Sequence, residues 1–302
     1  MSDNKTMRSL IYVSLVMLIG ILTLSACGTE DADDDQIGAA VDYTITGIEP
    51  GAGTMDLAAN TLEEYDNLDG YELEEASTAA MISALNSAIA DEEPVIVTGW
   101  TPHWKFAMHD LKFLEDPKET FGGLEEIHTL TRLELSEDMP EAYTILDRFY
   151  WEPEDMEYVM LLTAEEDMSF EEAANDWIAD NESMVEEWTD GVDMVDGDAI
   201  ELVATPWDTE RASAAVVAEV LTRQGYDVEI TPVDPSVMFQ ALATGDADAS
   251  AAAWLPATHE AFLTQHEGEI DELGANLEGA RIGFVVPEYV DIDSIEDLEP
   301  VE

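Results

Sequence analysis

The chain is poor in exactly those residues that would have suggested the commonest alternatives. It has one cysteine, Cys27, in 302 residues, so no internal disulfide can staple it. It has 10 Lys and Arg against 70 Asp and Glu, a net charge of −60 at pH 7. That scarcity of positive charge excludes nucleic-acid backbones and anionic membrane surfaces as attractive partners. There is no G-x-S-x-G turn and no other Ser or Cys nucleophile motif. A hydrolase working through His259 or His103 is therefore the weak enzymatic alternative, and the chain reads as a non-enzyme. His103, His109, His128 and His266 have no metal-ligand spacing, and neither a metal nor another cofactor is expected. Beyond Leu24 there is no second long apolar run, so no membrane-spanning helix is expected in the mature protein.

What is present points to a folded, exported protein. Hydrophobic residues make up 46% of the chain, enough to bury a core, so the acids must coat the surface. Such a coat suits a salty or alkaline exterior; cation binding by the coat is the alternative. At the N-terminus Lys5 and Arg8 precede the apolar run Leu10 to Leu24, and Leu24-Ser25-Ala26-Cys27 follows. That order reads as a secretory signal over residues 1–26. Its last four residues resemble a bacterial lipobox, which implies lipidation of Cys27 and a lipid tether to the outer face of the cell membrane. Residues 27–42, with Asp31-Ala32-Asp33-Asp34-Asp35, read as an acidic linker. The D-x-D-x-D spacing is also that of a calcium loop, but Gln36 stands where the turn glycine belongs.

From residue 43 the pattern is strand, helix, strand, helix, strand. Tyr43 to Ile48 alternates, Glu49 to Thr54 is a glycine turn, and Met55 to Tyr65 has helical spacing. A short strand at Tyr71 to Leu73, a helix from Ser77 to Ile89 and a buried strand from Pro94 to Gly99 lead to Trp100. The same order returns at Ile200 to Ala204, Thr209 to Gln224, Asp227 to Val233, Ser236 to Ala243 and Ala247 to Ala253, leading to Trp254. Gly53 lies as far before Trp100 as Trp207 lies before Trp254, and Met81-x-x-Ala84-Leu85 is echoed by Met238-x-x-Ala241-Leu242. This is an α/β chain of two similar lobes, each a mostly parallel sheet flanked by helices. Residues 43–148 form the first lobe. Residues 149–302 supply a helical connection and the second lobe, with the C-terminal end a candidate to cross back. Trp151, Trp177 and Trp188, at helical spacing in the connection, read as core.

In open parallel sheets ligands bind outside the carboxyl ends of the strands, where helices begin. That crevice brings together Gly51-Ala52-Gly53-Thr54, Trp100, Trp207, Trp254 and His259. A quaternary ammonium has no N–H to donate, so indole faces suit it better than hydrogen-bond acceptors, at about 2 kcal/mol per desolvated contact. Free N–H groups at a helix start can hold a carboxylate, and a histidine can donate one more bond. A compact methylated zwitterion fits both features. Taken singly, each residue has a plainer role: a tryptophan in a core, a Gly-x-Gly at a helix start, a histidine on the surface.

The motifs Gly47-Ile48-Glu49-Pro50-Gly51-Ala52-Gly53, Thr98-Gly99-Trp100-Thr101-Pro102-His103-Trp104, Glu126-Ile127-His128-Thr129 and Ala253-Trp254-Leu255-Pro256-Ala257-Thr258-His259 resemble the substrate-binding lipoproteins of glycine betaine ABC importers. The order of halves is similar to the permuted branch of that family. The resemblance implies a two-lobed periplasmic-binding-protein-like fold of type II, with the ligand between lobes. It implies membrane permease subunits as partners and glycine betaine or proline betaine as ligand. It also implies a Trp100, Trp207 and Trp254 cage, with the carboxylate on the Gly53 and Thr54 amides and on His259. Thr54 departs from the aliphatic residue of close relatives, though only its backbone is called on. A membrane-receptor sensor for another zwitterion, such as ectoine or carnitine, stays open as a second reading.

The charge alone generates a prediction. Salt shortens the reach of surface repulsion from about 10 Å at 0.1 M to about 3 Å at 1 M. The melting temperature is expected to rise markedly as sodium chloride goes from dilute to molar; a flat or falling melting curve series refutes it.

Overall fold

The computed structural model describes residues 37–301. The expected signal sequence, Cys27 and the acidic stretch up to Gln36 lie outside the described residues. A helical turn α1 (Ile37–Ala40) leads into β1 (Thr44–Thr46), α2 (Gly53–Glu64), β2 (Glu72–Glu74), α3 (Thr78–Asp91) and β3 (Val97–Thr101). Then come α4 (Trp104–Met108), β4 (Leu111–Phe113) and the long strand β5 (Leu124–Arg132). A helical stretch follows: α5 (Leu135–Asp138), α6 (Pro140–Arg148), α7 (Pro153–Glu166), α8 (Phe170–Asp180) and α9 (Glu182–Thr189). The second half is β6 (Ala199–Ala204), α10 (Asp208–Arg223), β7 (Asp227–Pro232), α11 (Pro235–Thr244) and β8 (Ala249–Leu255). The chain continues through α12 (Glu260–Gln265) to β9 (Ile270–Pro287).

All strands join one nine-stranded sheet in the order β2-β1-β3-β9-β5-β8-β6-β7, with β4 paired to β9. The two expected repeats have the same internal layout. β1 runs parallel between β2 and β3, and β6 runs parallel between β7 and β8. Met81 and Leu85 on α3, and Met238 and Leu242 on α11, are all fully buried, so the echoed residues are equivalent core positions.

Between these parallel trios lie two antiparallel strands, which makes the sheet less parallel than the repeats suggest. β9 pairs with β5 over Ile270–Arg281 and with β3 over Arg281–Val285. Sequence pattern does not mark the first ten residues of this strand, Ile270 to Gly279. Residues 270–279 contain three acids and two glycines, without the alternation that marks a half-buried strand. Pairing to β5 holds them extended, and the register shifts along that ladder absorb their irregularity. A second correction concerns the linker. Ile37 and Val41 pack on the core, and the Tyr43 amide donates to the Gly38 carbonyl at 2.7 Å. The last six residues of the expected acidic linker thus belong to the folded body. At the other end, Asn67 Nδ2 donates to the carbonyls of Ile295 (2.7 Å) and Leu298 (3.0 Å), which holds the C-terminal segment against the first half.

The helical stretch forms its own packed layer. Ser169 and Glu172 make a reciprocal capping box at the start of α8, with Ser169 Oγ accepting from the Glu172 amide at 3.2 Å. Trp151, Trp177 and Trp188 are buried in mutual contact, with Trp151 edge-on to Trp177 at 5.6 Å and Trp177 stacked on Trp188 at 6.0 Å. Trp177 Nε1 donates to Asp155 at 3.0 Å, which satisfies the indole without solvent. No helix among the described residues is long and apolar enough to cross a membrane.

This packing predicts that Trp177→Ala costs about 3–5 kcal/mol of stability by denaturant melting. Trp177→Phe keeps most of the ring and leaves ligand binding intact. A Trp177→Ala protein as stable as wild type contradicts the core assignment.

Candidate functional site

The C-terminal ends of β3 and β8 and the N-terminal ends of α2 and α10 converge on one cavity. It is lined by Ala52, Gly53, Thr54, Trp100, Trp207, Glu210, Trp254, Thr258 and His259, with Ile48 and Ile282 adding apolar wall. All six residues singled out from the sequence, Gly53, Thr54, Trp100, Trp207, Trp254 and His259, therefore face the same space. The space between these residues is about 310 Å³, part of it open to solvent. Trp100 and Trp254 occupy equivalent positions near the ends of β3 and β8, each followed two residues on by a cis proline, Pro102 and Pro256.

The turn into α2 needs its glycines for two different reasons. Gly51 has a φ of +89°, which side chains rarely adopt. Gly53 sits so close to the second half that a Cβ there would come within 2.2 Å of the Thr258 carbonyl oxygen. Its lack of a side chain lets the start of α2 close onto the loop after β8. Ala52 caps α2 and has no side chain able to accept from the first turn. The Gly53 and Thr54 amides are thus left for an acceptor outside the helix.

His259 is held by its own loop. The Trp254 amide donates to His259 Nδ1 at 3.0 Å, and the His259 amide donates to the Trp254 carbonyl at 2.9 Å. Because Nδ1 accepts, the neutral ring carries its proton on Nε2. Burial pushes the His259 pKa down to about 4, so at neutral pH the side chain is an uncharged donor. Glu125 braces this loop from β5, accepting from the Ala257 amide (2.9 Å), the Thr258 amide (2.8 Å) and the Thr258 hydroxyl (2.5 Å).

The indole edges around the cavity are tied to carboxylates. Trp254 Nε1 donates to Glu210 at 2.8 Å, and Trp207 Nε1 donates to Glu49 at 3.1 Å. Just outside, Trp104 Nε1 donates to Asp208 at 2.9 Å. The last two bonds cross between the halves. Burial pushes the Glu49 carboxyl up, but hydrogen bonds from Thr78 and Trp207 outweigh it and leave the pKa below the usual value. Glu210 is wholly enclosed, and burial pushes its pKa up to about 7 against the bonds from Thr209 and Trp254. Trp100 is backed by a cation: Lys105 Nζ lies 4.1 Å from its ring centroid, buried and without a hydrogen-bond partner among the described residues. Burial lowers the Lys105 pKa to about 7, with Asp208 opposing the shift.

Sequence reasoning missed Glu210, Thr258 and Ile282 as cavity residues. Glu210 follows Trp207 by three positions, one helical turn, so its place on the cleft side of α10 could have been found from that spacing. Ile282 could not, because it depends on β9 pairing with β3. His103 caps α4 by accepting from the Lys105 amide at 3.1 Å and stands edge-on to Trp100 at 4.9 Å. His128 lies between Glu272 (2.8 Å) and Glu126 (3.0 Å), and His266 beside Glu269 (3.1 Å). Among the described residues no group of three or more His, Cys, Asp and Glu side chains is placed to hold a metal.

Comparison with known proteins follows the geometry. The family of substrate-binding domains of ABC-type glycine betaine transport systems matches residues 23–180 and 198–302. The glycine betaine/carnitine transport binding protein GbuC of Listeria monocytogenes is 46% identical over 298 residues, covering 97% of this chain and 99% of that protein. Lactococcal OpuAC, solved closed with glycine betaine, is 42% identical over 49% of this chain and 58% of that chain, with a TM-score of 0.45. A choline-binding protein solved with choline is 24% identical over 51% of this chain and 55% of that chain, also with a TM-score of 0.45. With a family match over most of its length and a relative this similar end to end, the chain belongs to the family of substrate-binding domains of ABC-type glycine betaine transport systems.

Proposed function

We propose that this protein captures glycine betaine, or a close analogue such as carnitine or proline betaine, outside the cytoplasm and delivers it to its permease. The observation that carries the reading is one small cavity lined by three indoles, two helix-start amides and a neutral histidine. The methylated ammonium rests against Trp100, Trp207 and Trp254, where no hydrogen bond is required of it. The carboxylate takes the Gly53 and Thr54 amides and the Nε2–H of His259. Choline has no carboxylate to use these donors, so the site favours a betaine. Family membership supports the role in transport rather than catalysis. For anchoring, the order of basic residues, apolar run and Cys27 supports a lipid tether at the membrane's outer face.

Calorimetry with glycine betaine and choline tests the site. Each of Trp100→Ala, Trp207→Ala and Trp254→Ala is expected to weaken betaine binding severely. His259→Ala is expected to cost betaine about 1.5–3 kcal/mol, the worth of a charge-assisted bond, and choline much less. Equal losses for both ligands would place the carboxylate elsewhere, and undiminished binding by all three tryptophan variants would remove the cage.

Anchoring is tested separately. Cys27→Ala is expected to move the protein from the membrane fraction to the medium without altering betaine affinity. A variant that stays in the membrane fraction, beside wild type that carries no lipid, rejects the tether.

A further inference from the structure

The cavity wall contains one ionisable group for which a purely aromatic cage has no use. Glu210 lies on the first turn of α10, is 4% exposed, and faces the same space as the three indoles. One carboxylate oxygen accepts from Trp254 Nε1 at 2.8 Å, and the other from the Thr209 hydroxyl at 2.5 Å. If its only task were to satisfy the indole N–H, a neutral amide oxygen or a backbone carbonyl would serve at less desolvation cost. Its position on the first turn of a helix favours negative charge, and the surrounding protein offers it no cation within ion-pair distance among the described residues.

We propose that Glu210 is a specificity-determining residue, its carboxylate serving as the counter-charge that makes the cage select a fixed positive charge over a neutral group of the same shape. This rests on the betaine reading of the site. The carboxylate acts in two ways. It puts negative charge in the wall of a water-poor cavity, where attraction to a cation is screened little. As an acceptor at the indole N–H it also pushes electron density toward the Trp254 ring, which strengthens the face a cation meets. The ligand in turn favours the ionised form, so its binding drives off any proton Glu210 holds.

The other groups around the cavity set the direction of the pH response. Asp208, on the same helix, disfavours ionisation of Glu210 and is tied to Trp104 from α4. Lys105, also on α4, lies behind Trp100 and titrates in the same range as Glu210. Glu49, before α2, is held ionised by Thr78 and Trp207, and His259, after β8, stays neutral down to about pH 4. Glu210 and Lys105 therefore both change charge between pH 6 and pH 8. Both changes weaken cation binding as pH falls, so the two must be separated by mutation.

The test uses the full chain in detergent and two probes, glycine betaine and 3,3-dimethylbutyrate, in which a carbon replaces the ammonium nitrogen. Both probes keep an ionised carboxylate over the pH range used. Wild type is expected to prefer betaine, with the ratio of affinities falling about tenfold from pH 8 to pH 6, as for one coupled proton that titrates at about pH 7 in the free protein. Glu210→Gln keeps an acceptor for Trp254 Nε1 and offers Thr209 a donor in place of the second oxygen, to which the hydroxyl can turn its lone pair; it is expected to lower the ratio at pH 8 and flatten its pH dependence. Lys105→Met is expected to keep most of the dependence. If Glu210→Gln weakens both probes equally, Glu210 merely positions Trp254 and the proposal is overturned. A wild-type ratio independent of pH, or a dependence abolished by Lys105→Met, overturns it as well, without recourse to the Glu210 variant's folding. Wild type that binds neither probe refutes the betaine reading itself, and with it the inference; wild type that binds betaine while the Glu210 expectations fail refutes the inference alone.

Discussion

A buried indole must place its N–H, and around this cleft every such bond that the structure makes ends on a carboxylate. Trp254 is tied to Glu210, Trp207 to Glu49 and Trp104 to Asp208. These bonds fix the orientation of the rings. They also hold the two halves of the molecule together, since Trp207 and Glu49 come from opposite halves, as do Trp104 and Asp208. The close approach of Gly53 to Thr258 completes that closure. Fixing the aromatic walls and closing the cleft are thus one structural event.

The same chain that carries a net charge of −60 is selective about which charges it buries. Most acids coat the surface, where few cations exist to pair with them. Arg132 bridges Asp138 and Asp248, and Arg223 pairs with Glu219. Inside, the two carboxylates buried as whole residues, Glu125 and Glu210, have hydrogen bonds supplied to both oxygens. Glu125 accepts three from the loop that carries His259, and Glu210 accepts from an indole and a hydroxyl. Lys105 is the contrasting case, a scarce cation enclosed behind Trp100 with no hydrogen-bond partner among the described residues. Its ring contact and the nearby Asp208 offset part of the desolvation, and its lowered pKa reports the remainder.

Much of this arrangement was legible from the chain. Helical spacing of the tryptophans marked the connection that α7, α8 and α9 form. The repeated order of strands and helices marked both parallel trios, because a buried parallel strand must be apolar throughout and a crossover helix must follow it. The Ala-rich β8 was readable from its place in that repeat and not from propensity, since alanine is a poor strand former. The small side chains fit because β8 is enclosed between β5 and β6, with α10 packed against it.

Local pattern was enough to establish two α/β halves, a helical connection and a set of aromatic and glycine residues at strand and helix ends. Those properties depend on neighbours along the chain: periodicity, capping and turn chemistry act over a few residues. The antiparallel pairing of β5 with β9, the folding of residues 37–42 onto the body and the enclosure of Glu210 were decided only by contacts between residues far apart in sequence. An acidic, glycine-containing segment becomes a strand because a partner offers it hydrogen bonds, and a surface-type residue becomes a buried one because side chains distant in sequence cover it. Neither cause is local, so neither leaves a mark in the stretch of sequence it acts on.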